Sequence, residues 1–412
     1  MTNYSVTKEE KAYLRELARL QLEYAHLPIM EERKRLWYLH NSLKGERPMI
    51  VMEEDTFLKE LMPPLRCETY FARIMEAQLL CNIIVHERIS DDKVIPDHFN
   101  IFVKIDSEQF GLSLKRNVPK SGIGYHVDRV INDLEEDITK LKPSTYYYNH
   151  EYTNKLKDCV EETIGDILPI QMKNSVNYWA FGITQKIVDI MGMENMLLSM
   201  MDTPDLFHQL MKFITDDLIR FLRWQEENDL LFVNNGNDYM GSGSFCFTHE
   251  LPRSDSSDAV KSTDLWGHIN SQESVGISPG MYKEFMYPYY AKIAEQFGLV
   301  YYGCCEPVHD IWDNCLQYLP NLRKISISDW CNEEIMAERL SDSTVIYSRK
   351  PSPNYIGVGK ELDEEAFRQY IQKTIDLTRN CKVEFIFRDI YSLNGNIEKV
   401  KRAVDIVREL TS

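Results

Sequence analysis

Two spacings of apolar residues alternate along this chain. Leucines from Leu14 to Leu22 recur at helical spacing within residues 7–25, and a second amphipathic segment follows over 30–43. Further on, apolar residues occur in short continuous runs, of which residues 49–52 are the first. Short apolar runs separated by helical segments predict a parallel β-sheet covered by helices.

The last third of the chain shows this alternation most clearly. Each predicted strand there ends in polar, sulfur-containing or charged residues, which is typical of a barrel enzyme whose chemistry lies at the carboxyl ends of its strands. Predicted strands lie at 230–233, 265–269, 298–302, 324–327, 344–347 and 383–387, and earlier ones at 49–52, 82–85, 100–104 and 175–180. An open doubly wound sheet is the alternative fold.

We therefore predict an α/β protein, a (β/α)8 TIM barrel with an N-terminal helical extension. The extension covers residues 1–45 and the barrel covers residues 46–412. A loose stretch, residues 241–264, is rich in glycine and serine, and we interpret it as a long loop over the mouth of the barrel.

Composition excludes several classes of function. The 412 residues contain 47 Lys and Arg against 64 Asp and Glu, which gives a net charge of −17. This balance argues against binding nucleic acid or an anionic membrane, both of which require a basic surface. The sequence shows no apolar stretch of membrane-spanning length and begins without an apolar signal core. Nine cysteines do not indicate a disulfide framework, so we expect a cytoplasmic protein with reduced thiols.

Two segments resemble the uroporphyrinogen decarboxylase superfamily, whose fold is a TIM barrel. Residues 271–285, SQESVGISPGMYKEF, with Pro288-Tyr289-Tyr290 after them, are similar to the family's ISPEMYREF…PYY segment. Residues 182–206 resemble an earlier family region. The resemblance extends from about 175 to 410.

This superfamily contains decarboxylases and zinc methyltransferases, the latter including O-demethylase components that use corrinoids. In the decarboxylases an Arg-rich segment after the first strand binds substrate carboxylates. Here the matching position reads Met52-Glu53-Glu54-Asp55, which is acidic and would repel such a substrate. The resemblance therefore favours the methyltransferase branch.

The methyltransferase resemblance implies zinc held by His-x-Cys after one strand and by another Cys after the last. The first motif falls on Tyr302-Gly303-Cys304 and the last Cys falls near Asp389, so only Cys304 matches. Zinc holds thiolates and acts as a Lewis acid. We expect the metal ligands to come from a set around that strand end: Cys304, Cys305, Glu306, His309 and Asp389.

Other polar residues lie at predicted strand ends. The predicted catalytic residues are Glu273, His268 and Asn237, and the predicted substrate-binding residues are Asn235, Trp266, Arg349, Lys350 and Arg388. Each also has a structural interpretation, such as a turn, a buried thiol or a rim ion pair, and for the basic residues that interpretation is about as well supported.

The function predicted from these residues is metal-assisted methyl transfer from a small methoxylated or methylated substrate to a corrinoid on a partner protein. A decarboxylase acting on a smaller carboxylated substrate, with Arg349, Lys350 and Arg388 holding carboxylates, is the alternative enzyme. A barrel that binds a ligand without turnover is the non-enzymatic alternative. The sequence also leaves a homodimer open.

Overall fold

A computed structural model describes residues 5–112, 116–117, 126–174, 181–253 and 259–411. The predicted strand 175–180, part of the predicted loop 241–264 and residue 412 lie outside the described residues.

The chain is a mixed α/β structure in which helices follow most of the strands. The strands are β1 (Met49–Met52), β2 (Phe99–Phe102), β3 (Ile105–Glu108), β4 (Arg116–Asn117), β5 (His126–Val127), β6 (Thr145–Tyr148), β7 (Ile170–Lys173), β8 (Tyr239–Met240), β9 (Ser244–Phe245), β10 (Trp266–Ile269), β11 (Leu299–Tyr302), β12 (Leu322–Ile327), β13 (Ile346–Arg349) and β14 (Val383–Phe387). The helices are α1 (Lys8–Ala25), α2 (Pro28–Asn41), α3 (Leu58–Leu61), α4 (Tyr70–Ile84), α5 (Leu134–Asp137), α6 (His150–Ile164), α7 (Ile183–Asp202), α8 (Pro204–Glu227), α9 (Pro279–Phe285), α10 (Tyr287–Ala294), α11 (His309–Trp312), α12 (Glu333–Leu340), α13 (Asn354–Gly357), α14 (Glu364–Leu377) and α15 (Glu398–Thr411).

Six strands form one parallel sheet, in the order β1-β14-β13-β12-β11-β10. β1 consists of apolar residues that are all buried, as expected for a parallel strand covered on both faces. β2 and β7 form a separate parallel pair. The mixed α/β architecture with a parallel sheet is thus confirmed, and the closed eight-stranded ring stays a prediction.

The predicted strand at 230–233 forms no backbone ladder with any of the residues that the structure describes. Instead, asparagine side chains make backbone hydrogen bonds on both sides of it: Asn174 bonds to Phe232 within the segment, and Asn234 joins the segment's end to β10. The Asn174 amide donates to the Phe232 carbonyl and accepts from its N–H, at 2.9 and 3.0 Å. Asn234 bridges to the backbone of Trp266 in the same way, at 3.0 and 2.8 Å. Side-chain amides can satisfy backbone groups as a strand would.

The predicted strand at 82–85 is wrong. These residues end α4 and begin a π-helical turn at Val85–Ile89. A short apolar run does not distinguish a buried strand from a buried helix end, and here the longer helical pattern determined the structure. The N-terminal helices occur as predicted, and Thr7 and Glu10 form the capping box that begins α1.

A segment formed by residues 239–245, here called the inner segment, packs against β10 and β14 of the sheet. Two of its glycines touch the sheet closely. A Cβ on Gly241 would lie 2.6 Å from the His268 ring, and one on Gly243 would lie 2.3 Å from Ile386 Cγ2. Gly243 also has a φ of 87°, which favours glycine. No larger residue fits at either position without displacing the sheet.

A buried charged group, here called the interior network, joins three residues of the sheet, Lys324, Ser348 and Glu384, to Ser244 of the inner segment and His40 of α2. The Glu384 carboxylate accepts hydrogen bonds from Lys324 Nζ at 2.9 Å, Ser244 Oγ at 2.9 Å and Ser348 Oγ at 2.6 Å. His40 Nε2 lies 3.2 Å away. Burial alone would raise the pKa of Glu384, but Lys324 and His40 hold it well below its usual range. Both oxygens of Glu384 are therefore occupied.

No helix among the described residues combines the length and apolar character that crossing a membrane requires.

Candidate active site

The carboxyl ends of the parallel strands meet at one edge of the sheet. β1 ends just before Glu53, β11 ends two residues before Cys304, and β14 ends just before Arg388. Because neighbouring parallel strands point the same way, residues that are distant in sequence come together at this edge. The structure brings these three residues together, since Arg388 contacts both Cys304 and Glu53.

These residues form a compact group, here called the Cys304 cluster: Glu53, Cys304, Cys305, Arg388 and Asp389. The Arg388 guanidinium contacts the Cys304 sulfur at 3.4 Å and Glu53 Oε2 at 3.2 Å. The two cysteine sulfurs lie 3.5 Å apart, and Cys305 Sγ lies 3.5 Å from Asp389 Oδ2. One cation thus joins a thiol and a carboxylate that come from different strands.

The pKa values of the two neighbouring thiols in the cluster are shifted in opposite directions. The hydrogen bond from the Cys305 thiol lowers the pKa of Cys304 against the effect of burial, and Arg388 lowers it further. The same contact and burial raise the pKa of Cys305. Cys304 is therefore the thiol of the pair that loses its proton more readily, with Cys305 as the donor to it.

The inner segment fixes the cluster from one side. Ser242 Oγ accepts from Arg388 at 3.0 Å and donates to the Gly303 carbonyl at 2.9 Å. The Tyr239 hydroxyl donates to Glu53 in a short hydrogen bond. Sequence reasoning did not select Glu53, Ser242 or Tyr239. Only Glu53 carried a signal, because it belongs to the acidic triplet that follows β1.

A cavity of about 320 Å³ opens beside the cluster. Glu53 lines this cavity and also contacts Arg388, so it joins the cavity to the cluster. The walls combine aromatic rings with charged and amide groups, which suits a small ligand held in a fixed orientation. The aromatic, charged and amide residues of the lining are Phe102, Phe232, Tyr239, Phe245, Glu53, Glu54, Asp55, Lys93, Lys173, Asp238, Asn82, Asn100, Asn174, Asn234 and Asn237.

Two of the predicted metal ligands point elsewhere. The buried Glu306 carboxylate accepts the backbone N–H groups of Ser271 and Cys304, both at 2.9 Å. It thereby ties the end of β10 to the end of β11. His309 Nδ1 accepts from the backbone of Asn332 at 3.3 Å. Both side chains therefore bind backbone groups and do not form a metal centre together with the Cys304 sulfur.

The predicted catalytic residues lie in three different places. His268 is buried, its Nε2 lies 3.1 Å from the Gly303 carbonyl, and burial lowers its pKa to about 3. Glu273 is also buried and accepts from Thr184 Oγ1 at 2.7 Å. Asn237 lines the cavity. The structure thus places Asn237 at the cavity and His268 beneath the inner segment.

The predicted substrate-binding residues are mostly engaged within the fold. Arg349 is buried and contacts Glu333 at 2.8 Å. Lys350 is buried and donates to Ser348 at 2.7 Å, and burial lowers its pKa to about 7. Asn235 donates to the Leu251 carbonyl at 2.8 Å, and Trp266 packs in an apolar cluster. Arg388 is the predicted binding residue that the structure brings to the cluster.

The residues present do not fit a zinc ion as they are arranged. Cys304, Cys305 and Asp389 supply donor atoms of the correct chemistry. However, the Cys304 sulfur, which would have to bind the metal, is already in contact with the Arg388 guanidinium. The described residues also contain no group of three or more His, Cys, Asp or Glu side chains that could hold a metal ion. Zinc stays a prediction from the resemblance, and no step below depends on it.

Fold and site together describe an α/β protein with a cavity beside the Cys304 cluster at the carboxyl edge of a parallel sheet. Among solved structures, the chain resembles a methyltransferase from Methanosarcina mazei with a TM-score of 0.50 and 10% sequence identity. The match covers 90% of this chain and 97% of that one. At this identity the likeness shows a shared fold. No protein-family profile and no curated protein sequence matches the chain.

Proposed function

We propose that this protein is a methyltransferase-type enzyme that acts on a small methylated substrate at the Cys304 cluster. The observation that supports the proposal is that one guanidinium holds the Cys304 sulfur and the Glu53 carboxylate together beside a cavity at the carboxyl edge of the sheet. The fold that the chain shares with a methyltransferase is consistent with it.

Methyl transfer proceeds by in-line displacement, in which the methyl carbon carries partial positive charge between the leaving group and the acceptor. Fixed negative groups near the methyl carbon stabilise this partial positive charge. Glu53 and the Cys304 thiolate are such groups. Arg388 is a positioning residue, since it contacts both of them and Ser242.

The acceptor in this proposal is a reduced corrinoid on a partner protein, which the family resemblance implies. It would approach from the open side of the cluster. Cys305 is partly exposed there, Asp389 is one-third exposed and Tyr391 is 57% exposed.

The decarboxylase alternative has less support from the geometry. A carboxylate clamp needs cations that are free to meet the substrate. Arg349 is paired with Glu333, Lys350 lies in the buried interior, and Arg388 is paired with Glu53.

The direct experiment is methyl transfer by the purified protein to a corrinoid protein, with a panel of small methylated donors. We expect transfer by the wild type and a loss of about a hundredfold in Cys304→Ser. Cys381→Ser is the matched control, because Cys381 lies near the amino end of β14 and contacts the Ala337 carbonyl. Absence of transfer across the panel, or equal rates in the two variants, contradicts the proposal.

Metal analysis of the same samples tests the zinc prediction separately. The contact between Arg388 and Cys304 predicts little zinc in protein purified without chelator. About one zinc per chain, lost in Cys304→Ser/Cys305→Ser, would show that Arg388 leaves the sulfur and that the site is a metal centre.

A further inference from the structure

We infer that the cavity binds a small methylated ammonium ion, and this inference rests on the proposed function because it names the substrate class of the same site. Three features of the cavity lead to it: its charge, its aromatic wall and the unsatisfied amide oxygens of Asn100 and Asn237.

The charged residues of the lining leave one negative charge unpaired. Glu53 pairs with Arg388 at 3.2 Å, Asp238 pairs with Lys173 at 2.5 Å, and Glu54 pairs with Lys93. Among the described residues, Asp55 is the lining carboxylate that makes no ion pair. Both lysines of the lining are held by carboxylates, so the cavity as a whole favours a cation.

Electrostatic repulsion accompanies this unpaired charge. Asp55 is an exposed residue, yet partial desolvation raises its pKa, and the neighbouring carboxylates of Glu54 and Glu53 raise it further against the effect of Lys93 and Arg388. A positively charged ligand next to Asp55 would relieve that repulsion.

The wall of the cavity is suited to a methylated cation. Four aromatic rings line it: Phe102, Phe232, Tyr239 and Phe245. Aromatic faces attract cations, and they also accept the apolar methyl groups that a hydrated metal ion lacks. This combination favours an organic ammonium over an inorganic ion.

Asn237 adds a hydrogen-bond acceptor. Its Nδ2 donates to the Val94 carbonyl at 2.8 Å, which fixes the orientation of the amide. The Oδ1 atom is buried and accepts no hydrogen bond from the described residues. A buried acceptor without a donor is costly, and an ammonium ion that retains an N–H would supply one.

An ammonium donor also suits a site whose residues do not fit a metal. When the C–N bond breaks, its electron pair stays on nitrogen, and the acceptor's pair forms the new bond to the methyl carbon. The leaving group is then a neutral amine that needs neither a proton nor a Lewis acid. An ether would leave as an anion and would need one of them.

The experiment compares two ligands of the same shape by calorimetry. N,N-dimethylethanolammonium and 3-methyl-1-butanol have matching heavy-atom frameworks and differ in charge. We expect the cation to bind wild-type protein at least about tenfold more tightly. Asp55→Asn should reduce this preference, Asp55→Glu should retain it, and Glu16→Gln on the exposed side of α1 should leave it unchanged.

Equal binding of the two ligands, no binding of the cation at millimolar concentration, or a preference that persists in Asp55→Asn overturns the inference. The result is separable from the proposed function. A charge preference without methyl transfer would contradict the function alone, whereas transfer from neutral donors without a charge preference would contradict the ligand class alone.

Discussion

The interior network and the Cys304 cluster lie on the same sheet, and both bring charged groups into buried surroundings. In the interior network, Lys324 and Glu384 are both fully buried, and each oxygen of the carboxylate is occupied by donors from the protein. In the Cys304 cluster, Arg388 and Glu53 are almost as deeply buried. However, Glu53 lines a cavity and Asp389 is one-third exposed.

The difference shows how a single sheet separates structural charge from functional charge. A buried ion pair whose partners are all within the protein can only stabilise or destabilise the fold. A pair that borders a cavity can exchange a protein contact for a ligand contact. Variants in the interior network, at His268 and in the Cys304 cluster test this distinction between structural and functional charge, beginning with the largest expected effect.

Removing the carboxylate of the interior network should have the largest effect on stability. Glu384→Gln leaves Lys324 buried without its counter-charge, so we expect a loss of about 3–5 kcal/mol in the free energy of unfolding. Urea denaturation measures this loss. The double variant Lys324→Met/Glu384→Leu removes both charges and should recover most of the stability. A single variant as stable as the wild type would show that the network is not structural.

His268 should make the protein sensitive to acid. Burial holds its folded-state pKa at about 3, below the usual value of 6.5, so the folded state keeps the ring neutral. Stability from this group is complete above the usual pKa and is lost as the pH falls towards 3. Between about pH 7.5 and 5 we expect a loss of about 2 kcal/mol.

Urea denaturation at both pH values checks this prediction. His268→Phe keeps a ring beneath the inner segment and cannot be protonated, so its stability should depend less on pH. An equal pH dependence in the two proteins would assign the acid sensitivity to other groups.

The smallest effect concerns the Cys304 thiolate. Arg388→Gln removes the cation that lies 3.4 Å from the sulfur, and the pKa of Cys304 should rise by about one unit. The ultraviolet absorbance of the thiolate, titrated with pH, reports this shift, and Cys304→Ser identifies the signal. A titration curve unchanged by Arg388→Gln would show that Cys305 alone holds the thiolate.

Much of the sheet could be predicted from the sequence because its strands are short apolar runs that end in polar residues. The runs at 383–387 and 324–327 correspond to β14 and to the end of β12. The segment at 230–233 has the composition of a strand, but among the described residues the Asn174 side chain bonds to its backbone, and Asn234 after it bonds to the backbone of β10 through its own side chain. No pattern of apolar residues predicts that substitution.

The candidate site was less predictable. Cys304 and Arg388 follow apolar strands, so their position at the edge could be inferred. Glu306 also follows a strand, yet its carboxylate binds two backbone N–H groups, and this choice depends on local geometry. Ser242 and Tyr239 were missed because the inner segment resembles a flexible loop in sequence, whereas its glycines allow it to pack against the sheet.

The most direct test of the account is to measure methyl transfer and unfolding together in Arg388→Lys. This variant keeps a positive charge beside Glu53 but loses the fork that reaches Ser242 and Cys304 as well. The account predicts a transfer rate lower by about a hundredfold, because the two anions are no longer held in position, with little change in the free energy of unfolding. Transfer at the wild-type rate in the folded variant would contradict the claim that this cluster is the site of the chemistry.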